Sequence, residues 1–410
     1  MNFIFKKSDP LSGPQAVLLD SRTPMHYRAD NREEGVGEDF FATSGKGVEE
    51  LLAGELRELG MGDVVQESGG VCFTGEISAC WRANLWLRTA NRVLMPLAVF
   101  SCTTQQELYD GVRTIPWTDW LTPEMTLAVD CNLRDSAITH SGFVALKTKD
   151  AIVDSLRDRY GRRPSVDTRD PDLRVNVHLV KNRCTVSLDT SGAPLDRRGY
   201  RLARTEAPLR ETLAAALVEL SGWDGAVPFA DPMCGSGTIL IEAALKAARR
   251  APGLFRSGFG FQRWPGFDPG LWDRLVTEAR DMARPSIGVA VTGCDRLPKA
   301  LEVARQNAAR AGISGLIALT RGEFRDFTPP QGPGILLFNP PYGQRLSEEE
   351  ELKPLYRLIG DVMKQRCTGY TAYLFTASPE LAKAVGLKAS RRFVLFNGPI
   401  ECRLLKYELY

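Results

Sequence analysis

Histidine is scarce in this chain of 410 residues, where only His26, His140 and His178 occur. Its nine cysteines stand singly, with no Cys-x-x-Cys pair. These shortages argue against a zinc site or a Cys–His nucleophile, so no metal is expected. Free thiols suit a reducing compartment, where they serve as small apolar packing residues. Long apolar runs are also missing: stretches such as Ile335-Leu336-Leu337-Phe338 fall far short of the roughly 20 residues a membrane-spanning helix needs. Lys6 and Lys7 have no apolar segment behind them, so no secretory signal is expected. A cytoplasmic protein with no membrane and no obligate protein partner follows as the expectation.

Net charge is slight too, at +2, but it averages over uneven parts. Residues 1–60 carry 7 Lys+Arg against 11 Asp+Glu, and residues 141–210 carry 15 against 9. Lys147, Arg162, Arg163, Lys181, Arg198 and Arg201 fall in the basic stretch. A solvated charged surface and a phosphate-facing surface for nucleic acid both account for it. With 43% hydrophobic and 25% charged residues, the chain has the profile of a globular protein, and its length argues for two or three domains.

Residues 1–38 hold Pro10, Pro14 and Pro24 and lack apolar periodicity, which suggests a mobile tail. Phe40-Phe41-Ala42 reads as a strand, and Gly47 to Leu59 as a helix with Val48, Leu51, Leu52, Leu56 and Leu59 at helical spacing. A strand entered at Gly69-Gly70 and a helix over Ile77 to Ala90 complete a small α+β unit. Leu127 to Cys131 reads as a strand and Phe143 to Arg159 as a helix. Leu173 to Leu179 and Cys184 to Leu188 read as a strand pair about Lys181-Asn182. Thr190 to Arg204, rich in Gly, Pro and Arg, resembles a linker. Beyond Glu206 strands alternate with helices, which demands a parallel sheet covered on both faces: a doubly wound α/β domain. Phe393 to Phe396 and Arg403 to Glu408 suit a terminal hairpin.

Two motifs carry chemistry. Asp231-Pro232-Met-Cys-Gly235-Ser-Gly237-Thr238 lies between a strand and a helix, where glycines let backbone approach a ligand and the helix offers free N–H groups. Leu240 stands where a dinucleotide fold would place its third glycine, so that reading is disfavoured. The next strand, beyond an insertion of Gly, Phe and Trp near 250–285, ends at Asp295, a residue able to hold ribose hydroxyls. Asn339-Pro340-Pro341-Tyr342 follows the apolar strand Ile335 to Phe338, at the carboxyl end where open α/β sheets bind ligands. An Asn side-chain oxygen and a Pro carbonyl can accept the two hydrogens of an exocyclic amine, aiming its poor lone pair at a methyl group. A tyrosine can stack on the base. Asn-Pro-Pro alone is also a plain strand-ending turn.

The motif pair resembles that of S-adenosyl-L-methionine-dependent amino-methyltransferases. With Phe40 to Ser44, Lys147 to Asp154, Asp172 to Val177, Arg198-Gly-Tyr-Arg201 and Glu211 to Ala216, the chain resembles the THUMP-domain class I RNA methyltransferases. Among these it is most similar to the bacterial 23S rRNA guanine-N2 methyltransferases of the RlmL type. The resemblance implies an α/β chain in which α+β ferredoxin-like and THUMP domains precede a Rossmann-like methyltransferase domain. The implied layout is a tail at 1–38, a ferredoxin-like unit at 39–78, a THUMP RNA-binding domain at 79–190, a linker at 191–205 and catalysis at 206–410. It implies that Asp231, Pro232, Gly235, Gly237 and Thr238 line the methionine end of the cofactor, with Asp295 on its ribose and Glu323 near its adenine. Asn339, also beside the cofactor, would meet the target guanine together with Pro340 and Tyr342. The six basic residues named above would meet RNA, either 23S rRNA or a pre-50S particle. Some relatives carry a second domain acting on guanine N7, and no second glycine loop precedes Tyr410. The rival expectations are a tRNA guanine-N2 enzyme, a DNA adenine-N6 enzyme and a non-catalytic assembly factor.

Overall fold

The computed structural model describes residues 37–201, 209–343 and 346–410. The expected tail, 1–38, lies outside these residues except at its last two positions. The amino-terminal half runs β1 (Glu38–Thr43), α1 (Glu49–Glu58), β2 (Gly62–Glu67), β3 (Gly70–Gly75), α2 (Ile77–Trp86), β4 (Arg92–Ser101), α3 (Gln105–Arg113), β5 (Thr126–Arg134), α4 (Ser141–Tyr160), β6 (Ser165–Val166), β7 (Leu173–Val180) and β8 (Arg183–Asp189). Its strands form one sheet in the order β2-β3-β1-β4-β8-β7-β5-β6. The ferredoxin-like unit and the following domain therefore share a sheet. β4 joins them by pairing antiparallel with β1 and with β8.

Local chemistry accounts for these elements. Along β7, Leu173, Val175, Val177 and Leu179 are buried while the residues between them are not, the period of a sheet with one face packed. Lys181 and Asn182 have φ of 51° and 63°, the two left-handed positions of a tight hairpin between β7 and β8. The helix α3, absent from the sequence reading although Leu108 and Val112 stand at helical spacing, begins at a capping box in which Thr104 and Glu107 satisfy each other's backbone N–H. The edge strand β2 and the strand β4, with Pro96 beside a register shift against β8, were also missed.

The carboxyl-terminal half runs α5 (Glu211–Leu220), β9 (Phe229–Asp231), α6 (Thr238–Ala247), α7 (Pro269–Asp281), β10 (Val291–Asp295), α8 (Pro298–Arg310), β11 (Ala318–Arg321), β12 (Gly334–Phe338), α9 (Leu346–Arg366), β13 (Tyr370–Thr376), α10 (Pro379–Ala384), β14 (Arg391–Asn397) and β15 (Ile400–Glu408). The sheet order is β11-β10-β9-β12-β13-β15-β14. β9 through β13 run parallel, and β15 is antiparallel to both of its neighbours. This is the doubly wound sheet the sequence implied, closed by the expected hairpin. Among the described residues no helix is long and apolar enough to cross a membrane.

The insertion between α6 and β10 packs on the other half of the chain. Phe259, Phe261, Trp264 and Leu275 are buried in the core of the amino-terminal sheet and its helices. Phe261 stacks on Trp81 with centroids 5.2 Å apart. The described part of the segment read as a linker, up to Arg201, is irregular, but it is no free tether. Arg256 donates to the carbonyls of Ser191, Ala193, Pro194 and Arg197 at 2.8–3.1 Å.

Arg198 corrects an expectation. It is 1% exposed, so it presents nothing to a phosphate. Its guanidinium donates to the carbonyls of Leu195 (2.9 Å) and Arg88, and lies 3.5 Å from Glu242 on α6. Arg201 is likewise turned inward: it pairs with Glu211 at 3.0 Å and donates to Leu209 O and Thr238 Oγ1. Composition shows how many guanidinium groups a stretch holds. Which of them are consumed by domain docking depends on where the second domain sits.

Because Phe261 is shared by the two halves, Phe261→Ala should destabilise the whole chain by about 3–5 kcal/mol. Thermal unfolding followed at once by tryptophan fluorescence and far-UV circular dichroism should show a single, lowered transition. Two separated transitions, one unchanged, would mean the halves fold independently of this contact.

Candidate active site

Three adjacent parallel strands, β10, β9 and β12, bring Asp295, Asp231 and Asn339 to one edge of the sheet. The connection order reverses between β9 and β12, which opens a crevice at the strand ends where ligands of such sheets bind. The two sequence motifs, more than 100 residues apart, meet there.

The glycine loop is held through its backbone N–H groups, by acceptors in the loop and on β10. Asp231 Oδ1 accepts the Met233 N–H at 3.0 Å, Gly237 N donates to Cys234 O at 2.8 Å, and Cys234 N donates to Cys294 O at 3.0 Å. The Gly235 N–H is taken by Asp295 Oδ2 at 2.9 Å, so the residue ending β10 also fastens the loop. The two glycines differ in what they need. Both have positive φ, but a Cβ on Gly235 would meet nothing within 4 Å, whereas one on Gly237 would lie 3.1 Å from Ala304 Cβ on α8. Gly235 borders open space, and Gly237 lets two helices approach. Thr238 Oγ1 is occupied by Arg201, so this hydroxyl supports the loop from behind. Asn307 of α8, 1% exposed, donates to Ser236 O at 3.1 Å. The sequence reading passed over it, although a polar residue among the inward Leu301, Ala304 and Ala308 was a usable signal.

Electrostatically the crevice is poised for a cationic or donor-rich ligand. Asp231 is 1% exposed, and burial, aided by the neighbouring Asp295 charge, pushes its carboxyl up to about 8. A cation would restore the charged form. Asn339 Oδ1 is buried with no hydrogen-bond partner among the described residues. Such an acceptor is costly to leave alone, and this one stands at the carboxyl end of β12, in the crevice. Pro340 is buried, and Tyr342 is half-buried with its hydroxyl 3.4 Å from Asn397 Nδ2. Glu323 is exposed at the start of a short 3-10 turn after β11, on the flank of the same edge.

The basic residues expected at RNA divide in two. Arg198 and Arg201 sit inside, as described. Arg162, Arg163 and Lys181 are exposed and Lys147 is partly so; Lys147 Nζ lies 4.6 Å from the Tyr109 ring centroid, and Arg162 pairs with Glu124 at 2.6 Å. Among the described residues no His, Cys, Asp and Glu cluster suited to a metal occurs.

Comparison with known proteins fits this geometry. Residues 198–406 match the model of an RMKL-like methyltransferase domain, residues 102–189 that of the THUMP domain, and residues 39–94 that of an RlmL ferredoxin-like domain. The chain is 44% identical over 371 residues to slr0064 of Synechocystis, named as a candidate RNA methyltransferase, covering 90% of this chain and 97% of that one. It is 45% identical over 382 residues to the ribosomal RNA large subunit methyltransferase K/L of Syntrophotalea carbinolica, covering 90% of this chain and 53% of that protein. The chain thus spans about half the length of the K/L relatives it matches. A crystal structure of SMU.472, a candidate methyltransferase complexed with SAH, superposes with a TM-score of 0.83 at 32% identity, covering 92% of this chain and 99% of that one.

The Asp231 carboxyl gives a pH test. An unfolded aspartate titrates near ~3.9, while the native group holds its proton up to about 8. Between these values the unfolded chain has lost a proton that the native site retains, so native stability falls as pH rises. Asp231→Asn removes that loss. Its melting temperature should exceed the wild-type value by a margin that widens from acid pH towards pH 8, and a margin constant with pH would contradict the assignment.

Proposed function

The chain belongs to the family of THUMP-containing methyltransferases with an RMKL-like catalytic domain, and on that premise we propose that it forms N2-methylguanosine in 23S rRNA, free or within a pre-50S particle. The observation that carries the reading is Asn339 Oδ1, buried at the end of β12 beside the glycine loop and without a partner among the described residues. A guanine amino group has the N–H to fill it.

S-adenosyl-L-methionine supplies the methyl group when bound, and the residues present suit it. Asp231 would hold its ammonium, the open space over Gly235 its methionine backbone, and Asp295 its ribose, with Glu323 towards the adenine. Pro232 and Thr238 complete the loop. Asn339 Oδ1 and the Pro340 carbonyl would accept the two amino hydrogens of a guanine turned out of its stack, directing the nitrogen lone pair at the methyl. Tyr342 would stack on the base. Acceleration then comes mainly from positioning, with Asn339 also stabilising positive charge as it grows on nitrogen. The ferredoxin-like unit and the THUMP domain, proposed at 39–78 and 79–190, would carry RNA on the exposed Lys147, Arg162, Arg163 and Lys181. The catalytic domain is proposed at 206–410.

Incubation with labelled cofactor and separate rRNA, tRNA and DNA tests the assignment. N2-methylguanosine in 23S rRNA is expected; the same product in tRNA, or N6-methyladenosine in any substrate, would replace it. Asn339→Ala should slow the chemical step in single turnover by about 2–4 kcal/mol and leave cofactor affinity nearly unchanged. Gly235→Ala should lose cofactor binding in calorimetry while costing the fold only about 1–2 kcal/mol. Gly237 makes a poorer test, since its contact with Ala304 mixes packing with binding. RNA binding should weaken steeply with salt, and charge reversal at Arg162 and Arg163 should flatten that slope without touching cofactor affinity.

A further inference from the structure

The hairpin β14–β15 turns at Gly398-Pro399, directly after Asn397, and Gly398 has φ of +64°. From this turn Asn397 Nδ2 donates to the Tyr342 hydroxyl at 3.4 Å, across 55 residues of sequence. The Tyr342 ring packs partly buried against the cluster that includes Phe338 and Tyr356. Its ring and its hydroxyl are thus held by different elements.

The turn itself is held from the amino-terminal half. β14 is an edge strand, and edges left open are free to pair or flex. Here the loop of residues 45–48 lies against it. Gly47 has φ of +87°, and a Cβ there would come 2.5 Å from the Val394 carbonyl oxygen, so only glycine allows this approach. Lys46 Nζ stands 5.2 Å from the Phe396 ring centroid, a cation–π contact one residue from Asn397. Val48, 4% exposed, is buried in one core with Leu395 and Cys402.

We propose that Asn397 is a positioning residue that sets the plane of the Tyr342 ring for the incoming base, and that the loop 45–48 of the ferredoxin-like unit steadies the turn carrying it. The inference rests on the stacking role proposed for Tyr342. It gives the tyrosine hydroxyl a purpose that stacking alone does not need, and it makes the Asn397–Tyr342 contact part of base capture.

The test uses the full chain labelled with 3-fluorotyrosine. Ten tyrosines give ten fluorine resonances, and that of Tyr342 is the one lost in Tyr342→Phe. Asn397→Ala should shift this resonance, and Lys46→Met should shift it less. With cofactor affinity unchanged, Asn397→Ala should lower single-turnover methylation of rRNA about 3- to 10-fold, the range of one neutral hydrogen bond. It should have no further effect in a Tyr342→Phe background. An unmoved Tyr342 resonance, or an equal rate loss in both backgrounds, would overturn the proposal. If the wild-type protein methylates no RNA, the functional reading fails, and the resonance alone decides whether Asn397 sets the ring. Should Asn397→Ala not fold, Asn397→Ser, too short to reach the hydroxyl, is read in the same way.

Discussion

The burial of Arg198 governs how the two halves meet. A guanidinium out of water must find acceptors for its donors. Here they are the carbonyls of Leu87 and Arg88 just after α2 and of Leu195, while the Glu242 carboxylate on α6 stands 3.5 Å away as the counter-charge. Glu242 also accepts the Tyr200 hydroxyl at 2.9 Å. Because these partners come from both halves, separating the halves would strand a charge, which in such pairs costs about 3–5 kcal/mol. The same short segment supplies Arg201, which fastens Thr238 at the foot of the glycine loop. The docking of the amino-terminal half and the shape of the glycine loop are therefore set by neighbouring residues of one irregular segment of chain.

The crevice at the strand ends is kept in an unfavourable state that a ligand relieves. Asp231 keeps a proton it would lose in water, and Asn339 keeps an acceptor without a donor among the described residues. Other buried polar atoms, such as Arg256 Nε and Trp264 Nε1, also lack a hydrogen-bond partner among the described residues, but they lie in the contact between the halves and not at the strand ends. What sets the crevice apart is that Asp231 and Asn339 stand together at adjacent strand ends. Groups perturbed in this way cluster at functional sites because the chemistry needs them unpaired until the substrate arrives.

Much of the site was legible because motif and strand coincide in sequence. A loop with Gly235 and Gly237 after an apolar strand, and Asn339-Pro340-Pro341-Tyr342 after another, each reveal a carboxyl end. The alternation of β7 and the tight turn at Lys181-Asn182 are local too. What escaped reading was non-local or masked. β2 is a half-exposed edge, so its side chains follow no apolar pattern. β4 carries Pro96, which would argue against an interior strand were it not placed at a register shift. The α3 capping box is local, and there the cue was simply overlooked.

The sequence alone thus determined the two motifs, the parallel sheet and the strand ends at which they stand, since each follows from chemistry within a dozen residues. Tertiary structure decided the fate of the basic residues. Arg162 and Arg198 are identical in type, yet one is exposed and the other buried, because only the second faces a carboxylate from α6. It also decided that the Gly/Phe/Trp-rich insertion clamps the other half, and that Asn397 reaches Tyr342. Contacts between residues far apart in the chain depend on how rigid elements pack, and no periodicity within either segment records its distant partner.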